Sequence, residues 1–323
     1  MQPIQPNTPP ETAQDAPRLI KTCSIWRALN DIGDVPTLLI LETIWLGERQ
    51  FKSIQTRTKL PKSVVSDRLK KLIAADIVFK EPYSQKPLRY EYRFTPKGLD
   101  LEWVAMMLLR FEKKWSTKTT KFDVQLVHTA CGSPTNPEPI CGHCKQIIKS
   151  KDLEWKEGPG VGLMEASYIR RRQNRSRDNL SELDLLYTDS VEILGDRWAS
   201  LILRSVFTNI RRYDDILNDT AIATNILSER LNWLVENNVL TEVLYQTRPD
   251  RFEYWLTHKG YDYYTVLLML MRWGDKYYGS TEGPPVLLHH KICGNELDPI
   301  VGCSHCKEPL ISSELKQSRT DTK

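Results

Sequence analysis

Lys62–Ile77 reads KSVVSDRLKKLIAADI, and the chain continues as IVFKEPY (Ile77–Tyr83), SQKPL (Ser84–Leu88) and RYEYRFT (Arg89–Thr95). Val65, Leu69, Leu72 and Ile73 recur at helical spacing, so this stretch predicts an amphipathic helix. Lys62, Ser63, Ser66, Asp67, Lys70 and Lys71 lie around the rest of it, with Ser63 the candidate N-cap. The two β-rich runs that follow predict a hairpin whose tip, around Lys86, Pro87 and Arg89, is basic.

Working outward, Ile25–Gly33, Thr37–Gly47 and Arg49–Thr58 each predict a helix, and Lys59–Pro61 a turn before the next one. Leu101–Trp115 predicts a long helix whose apolar stripe needs a partner. Three helices and a basic hairpin make a winged helix-turn-helix, with residues 62–75 as groove reader and residues 83–90 as wing.

The pattern occurs twice. An offset of 162 residues aligns the two halves without a gap: Gly33-Asp34 falls on Gly195-Asp196, Ser66 and Arg68 on Ser228 and Arg230, and PLRYEYRFTPKG (Pro87–Gly98) on PDRFEYWLTHKG (Pro249–Gly260). Such a match marks a tandem duplication. The expected organisation is a disordered leader (1–17), a first winged-helix domain (18–118), a metal-binding module (119–155), a basic linker (156–179), a second winged-helix domain (180–280), a second module (281–316) and a disordered tail (317–323). The fold class is mainly α with small β. The run RRRQNRSR at 170–177 is either a solvated tether or an arm on phosphates.

The residues resemble the HxlR-type winged-helix regulators. Cys-x-x-x-Arg-Ala-Leu-x-x-Ile-Gly, from Cys23 to Gly33, is similar to that family's opening. Arg-x-Glu-Tyr-x-[Phe/Leu]-Thr-x-Lys-Gly, ending at Gly98 and Gly260, is similar to its second wing strand and the helix after it. The resemblance covers about 95 residues in each copy. It departs at Gly33–Thr37, where GDVPT stands for the family's Gly-Gly-Lys-Trp, while copy two keeps GDRW (Gly195–Trp198). It implies a bacterial transcription factor that binds double-stranded DNA and pairs its terminal helices (99–115 and 261–277) within one chain or between chains; the polar, proline-rich start without a basic and then apolar stretch gives the expectation of a cytoplasmic, nucleoid-associated protein. Cys23 corresponds to a cysteine that senses oxidants or electrophiles in some members; a lone helix cysteine is otherwise a small packed hydrophobe.

Charge separates the copies. Residues 49–98 hold thirteen Lys/Arg against four Asp/Glu, and the matching 211–260 hold six against eight, net charges of +9 and −2. Phosphate contacts dominate non-specific affinity, so copy one is the expected main DNA reader. Its candidates are Lys52, Lys59, Lys62, Ser63, Ser66, Asp67, Lys70, Lys71, Lys86 and Arg89. Copy two offers Thr224, Asn225, Ser228, Arg248 and Arg251, a weaker half-site or a pairing and regulatory surface. Arg68 and Arg230 are candidates either for DNA or for an internal ion pair.

Each copy closes on a cluster. His128, Cys131, Cys141 and Cys144 recur at the same spacing as His290, Cys293, Cys303 and Cys306. Four imidazole and thiolate ligands suit a closed tetrahedral zinc site without an open catalytic position. Each module is thus expected to hold one structural zinc, two per chain, with iron the alternative. His143 and His305, inside the cysteine knuckles, compete as ligands, and His289 competes with His290. Gly132 and Gly294 suit a tight turn. No stretch of about 18 apolar residues occurs, so no membrane span is expected. Nor does a Gly-rich phosphate loop, nucleophile elbow or open metal site appear, which argues against an enzyme. A winged-helix and zinc adaptor for other proteins remains the competing reading.

Overall fold

The computed structural model describes residues 19–116, 122–165, 186–187 and 189–321. The leader and the run 170–177 lie outside these residues. Copy one begins with strand β1 (Leu19–Lys21) and helices α1 (Ser24–Ile32), α2 (Val35–Trp45), α3 (Phe51–Thr58) and α4 (Lys62–Ala74). The wing strands β2 (Val78–Gln85) and β3 (Leu88–Phe94) follow, then α5 (Pro96–Leu99) and the long α6 (Glu102–Trp115). The first module contains β4 (Phe122–His128), β5 (Ser133–Thr135), β6 (Pro137–Cys141) and β7 (Leu153–Glu157), and β8 (Leu163–Glu165) follows it.

Copy two repeats this order: α7 (Asp189–Leu194), α8 (Arg197–Phe207), α9 (Tyr213–Thr220), α10 (Thr224–Glu236), wing strands β9 (Leu240–Gln246) and β10 (Arg251–Leu256), and α11 (His258–Tyr278). Its module holds β11 (Val286–His290), β12 (Asn295–Glu296), β13 (Pro299–Cys303) and β14 (Leu315–Asp321). Among the described residues no helix is long and apolar enough to cross a membrane.

Local chemistry sets these boundaries the same way in both copies. Asp34 caps α2 by accepting from the Thr37 amide at 3.1 Å, and Asp196 caps α8 by accepting from the Trp198 and Ala199 amides. Thr95 and Thr257 accept from the amides of Gly98 and Gly260, each at 3.1 Å. A Cβ on Gly98 would stand 2.0 Å from the Ile77 carbonyl oxygen, and one on Gly260 would stand 2.3 Å from that of Val239. That close approach explains the glycine ending the shared wing motif. Ser63 is not the cap expected of it: α4 starts at Lys62 behind Pro61, which places Ser63 inside the first turn, and the helix has no side-chain cap bond.

The two copies pair about a local twofold axis. Asp34 bridges its own counterpart Asp196. Strand β6 pairs antiparallel with β13, in a register that places Pro139 opposite its counterpart Val301. The helices also cross between copies. Phe111 of α6 meets Tyr263 of α11 edge to face, with ring centroids 5.1 Å apart. Asp262 receives the Trp115 indole at 2.7 Å and the Lys114 ammonium at 2.6 Å, while its counterpart Asp100 receives Tyr277 and Lys276. The apolar stripes of the long helices therefore face each other within one chain, along the surfaces expected to pair.

The modules exchange strands too. β4 pairs with β14, and β7 with β11. Two expected boundaries are corrected by this. Residues 317–321, expected to be disordered, belong to β14, because the first module's edge strand offers its polar backbone a partner. Residues 156–165 of the expected linker contribute to β7 and to β8, which pairs with β1.

Candidate nucleic-acid interface and metal centres

In copy one, α3 and α4 form the helix pair, joined at Lys59 in a left-handed conformation (φ 52°). Val65, Leu69 and Leu72 are buried, which turns the opposite face outward. Lys52, Lys59, Lys62, Ser63, Asp67, Lys70, Lys71, Lys86 and Arg89 are exposed and Ser66 is half-buried. The wing tip narrows to Lys86-Pro87, so its strands run longer than the sequence suggested.

The cations are not equivalent. Lys71 pairs with Asp67 at 2.7 Å, and this hydrogen bond is the main reason the Asp67 carboxyl lies below its ordinary value. Arg68 turns inward to Asp34 at 2.9 Å and also pairs with Asp67. Arg230 makes the matching pair with Asp196. Both arginines are internal ties, the second of the two roles the sequence allowed. Lys62, Lys70 and Lys86 have no such partner among the described residues and present their charge to solvent.

In copy two, Thr224, Asn225, Ser228, Arg248 and Arg251 are exposed at the matching positions. Much of their polarity is spent internally. Ser228 bonds to the Thr224 carbonyl at 3.1 Å and to Tyr213 at 3.0 Å. Arg251 lies 3.6 Å from Asp214, and Glu229 is held by Arg230.

The cysteine and histidine residues assemble two compact sites, divided differently from the expectation of one site per module. His128 and Cys131 meet Cys303 and Cys306, while Cys141 and Cys144 meet His290 and Cys293; within each set all ligand atoms lie within 4.8 Å of one another. The cause is β6. After the turn at Cys131 the chain runs through β5 into β6, which pairs with β13 across the axis, so each knuckle is delivered to the other copy's histidine. His143 and His305 are exposed and His289 half-buried, and all three lie outside both sets.

The spacing fits a tetrahedron. Zinc about 2.3 Å from sulfur and about 2.0–2.1 Å from nitrogen requires edges of about 3.8 Å between sulfurs and about 3.6 Å between sulfur and nitrogen. The first site has Cys131 Sγ to Cys303 Sγ at 3.9 Å, Cys131 Sγ to His128 Nδ1 at 3.5 Å and Cys306 Sγ to His128 Nδ1 at 3.3 Å. The second has Cys141 Sγ to Cys293 Sγ at 4.0 Å, with His290 Nδ1 at 3.4 Å from Cys144 Sγ and 3.5 Å from Cys293 Sγ.

Both imidazoles are buried, and His128 Nε2 faces the Glu314 carboxylate at 3.6 Å, an outer partner of the kind that orients a ligating histidine. Burial opposes ionisation of Cys303, yet the Thr135 hydroxyl and the amides of Cys306 and His305 outweigh it and bring the thiol down to about 6. The Asn295 amide brings Cys293 down to about 6 as well. Amides aimed at sulfur favour thiolates, the form that binds metal. Gly132 (φ 70°) and Gly294 (φ 72°) take left-handed turns directly after Cys131 and Cys293. The residues could each hold a metal ion, and their donor set suits zinc.

Sequence reading missed Thr135, Glu314 and the Asp100/Asp262 clamps. The clamps had a signal, since an acid recurs at offset 162 together with a recurring Lys114/Lys276. Cys23 is buried at the start of α1.

The HxlR-like helix-turn-helix family model matches residues 32–120 and again 193–282, more than half of the chain. An uncharacterized HTH-type transcriptional regulator of Mycobacterium tuberculosis is 40% identical over 126 residues, 39% of this chain and 80% of that protein. A second such regulator, from Bacillus subtilis, is 29% identical over 102 residues, 31% of this chain and 93% of that protein. A solved chain from Pseudomonas aeruginosa, described as a candidate transcription factor, is 36% identical with a TM-score of 0.27 and covers 33% of this chain and 73% of that one. With the family's winged helix-turn-helix matched twice, the chain belongs to the HxlR-like family of helix-turn-helix transcriptional regulators.

Proposed function

We propose that copy one is the main DNA reader of this regulator, with α4 in the major groove and the wing on the phosphates. Copy two contributes a weaker half-site or serves pairing and regulation. The carrying observation is the solvent-facing set of unpaired Lys62, Lys70 and Lys86, against Thr224, Asn232 and Arg248 at the matching positions. The local twofold axis supports a target site with inverted symmetry, read unequally in its two halves.

Both His/Cys3 clusters are proposed to hold structural zinc, two per chain. The ion would act as a charge centre that fixes four side chains, with no open position for chemistry. Because each set draws two ligands from each copy, the metal would fasten the pairing of the copies. That role fits modules too short for a hydrophobic core of their own.

The test is DNA binding across a salt series. Each lost phosphate contact lowers the salt slope by about 0.9, so Lys62→Ala/Lys70→Ala/Lys86→Ala is expected to lower it by nearly 3 and weaken binding. Thr224→Ala/Asn232→Ala/Arg248→Ala is expected to change it by about 1 at most. Equal losses in the two variants would overturn the assignment of roles. A wild-type protein with no salt-dependent DNA binding would favour the adaptor reading instead.

A further inference from the structure

The twofold axis makes two cavities counterparts of each other, and they differ. In copy one the space between the winged-helix domain and α6 has a volume of about 60 Å³. Tyr187 is one of its walls, with its hydroxyl donating to the Ala105 carbonyl at 3.1 Å. In copy two the matching space has about 310 Å³. There the residue counterpart to Tyr187 is Ile25, a smaller side chain without a ring. A volume of 310 Å³ reaches the lower end of the range of small-molecule pockets.

The linings differ in charge as well as in room. Among the described residues, the small cavity is lined by the carboxyls of Glu42 and Glu102 and by no cation. The large one is lined by Lys151, Arg204, Arg211 and Lys291 and, among the described residues, by no carboxylate. Arg204 replaces Glu42 at the matching position of α8. Its guanidinium is largely buried, with Nη2 held 2.7 Å from Asp219 and Nε without an acceptor among the described residues. An unused buried donor costs free energy until an acceptor reaches it. The rest of the wall is mainly aliphatic, with an aromatic part: Phe207 and Tyr264 meet with centroids 4.6 Å apart, and Trp155 and Tyr261 line the same space.

We propose that this cavity of copy two binds a small aromatic monocarboxylate, ring against Phe207 and Tyr264 and carboxylate toward the Arg204 side. A preformed space, partly aromatic walls and a lining of cations alone together select that class over neutral or cationic molecules of the same size. Its walls come from α8, α11, β7, β11 and the start of α1. An occupant would therefore touch the second winged-helix domain, the pairing helix and the strand-exchanged module at once.

The test uses the purified full-length chain, with calorimetric titration and thermal denaturation by phenylacetate, its neutral isostere phenylacetamide, and the cation 2-phenylethylamine. Phenylacetate, with ten heavy atoms, is expected to bind at about one per chain and at least about tenfold more tightly than either analogue, the worth of a charge-assisted hydrogen bond. Ile25→Tyr, which places in copy two the side chain that walls copy one's cavity, is expected to abolish binding. Lys291→Glu, an exposed change at the lining, is expected to weaken phenylacetate several-fold and leave phenylacetamide alone. Equal binding of the three compounds, no binding of phenylacetate, or undiminished binding by a folded Ile25→Tyr protein would each overturn the proposal. None of these readouts involves DNA, so their outcome is separate from the assignment of the reading copy.

Discussion

The division of the metal ligands can be tested by two variants of identical composition. The first replaces His128, Cys131, Cys303 and Cys306, the four members of one observed cluster. The second replaces His128, Cys131, Cys141 and Cys144, the four members of one sequence stretch. Each removes one histidine and three cysteines, so a general loss of thiols affects both alike. With ligands shared across the axis, the first variant keeps a complete four-ligand site and the second keeps two half-sites of two ligands each.

A structural zinc site is worth about 10–16 kcal/mol of apparent binding free energy at neutral pH. Losing two of four ligands removes most of that, whereas an intact site retains it. Metal analysis after passage through a mild chelator is therefore expected to give about two zinc ions for the parent, about one for the cluster variant and close to none for the stretch variant. The reverse order, with the stretch variant keeping one ion, would show that each copy closes its own site and refute the exchange. A parent chain without metal would refute the staple itself.

Further outcomes follow from the buried charges. Arg68→Met removes the ion pair it makes with the largely buried Asp34, and is expected to destabilise the chain by roughly 2–4 kcal/mol in denaturant titration; a loss seen only in DNA affinity would contradict the internal role given to Arg68. Burial pushes the Glu42 carboxyl from 4.5 up to about 8. The unfolded chain releases that proton above about 4.5 and the folded chain holds it until about 8, so stability falls as pH rises through this window. Glu42→Gln is then expected to stabilise by roughly 2–3 kcal/mol at pH 7 and by little near pH 4.5. A benefit of equal size at both pH values would show that ionisation is not its source.

Much of the architecture was legible in the sequence because its signals are local. The 3.6-residue spacing of Val65, Leu69 and Leu72 gave α4, the β-branched and aromatic runs on either side of Lys86 gave the wing, and the 162-residue offset gave the duplication. What escaped reading were relations between the copies. His128 and Cys131 stand at the same spacing from a Cys-x-x-Cys whether that knuckle is Cys141/Cys144 or its twin Cys303/Cys306. A gapless repeat makes the two closures indistinguishable along the chain, and only the pairing of β6 with β13 chooses between them. Residues 315–321 escaped for a similar reason. Their polar composition gives no burial signal, and their order comes from an edge strand nearly two hundred residues earlier.

Ligand exchange also accounts for an imbalance between the copies. The second copy has reversed the charge of its helix-turn-helix region, from +9 in the first to −2, yet keeps all four of its cysteine and histidine ligands. If each copy closed its own site, losing the basic face would remove one reason to keep the cluster beside it. With the ligands shared, Cys303 and Cys306 complete the cluster begun by His128 and Cys131 beside the basic first copy, and neither cluster can be dissolved without opening the other copy's module. The Arg68–Asp34 and Arg230–Asp196 pairs follow the same logic, since the two aspartates bridge each other on the axis. What this chain retains in duplicate is the machinery of pairing, and what it lets diverge is the charge of the helix-turn-helix surface and the cavity behind it.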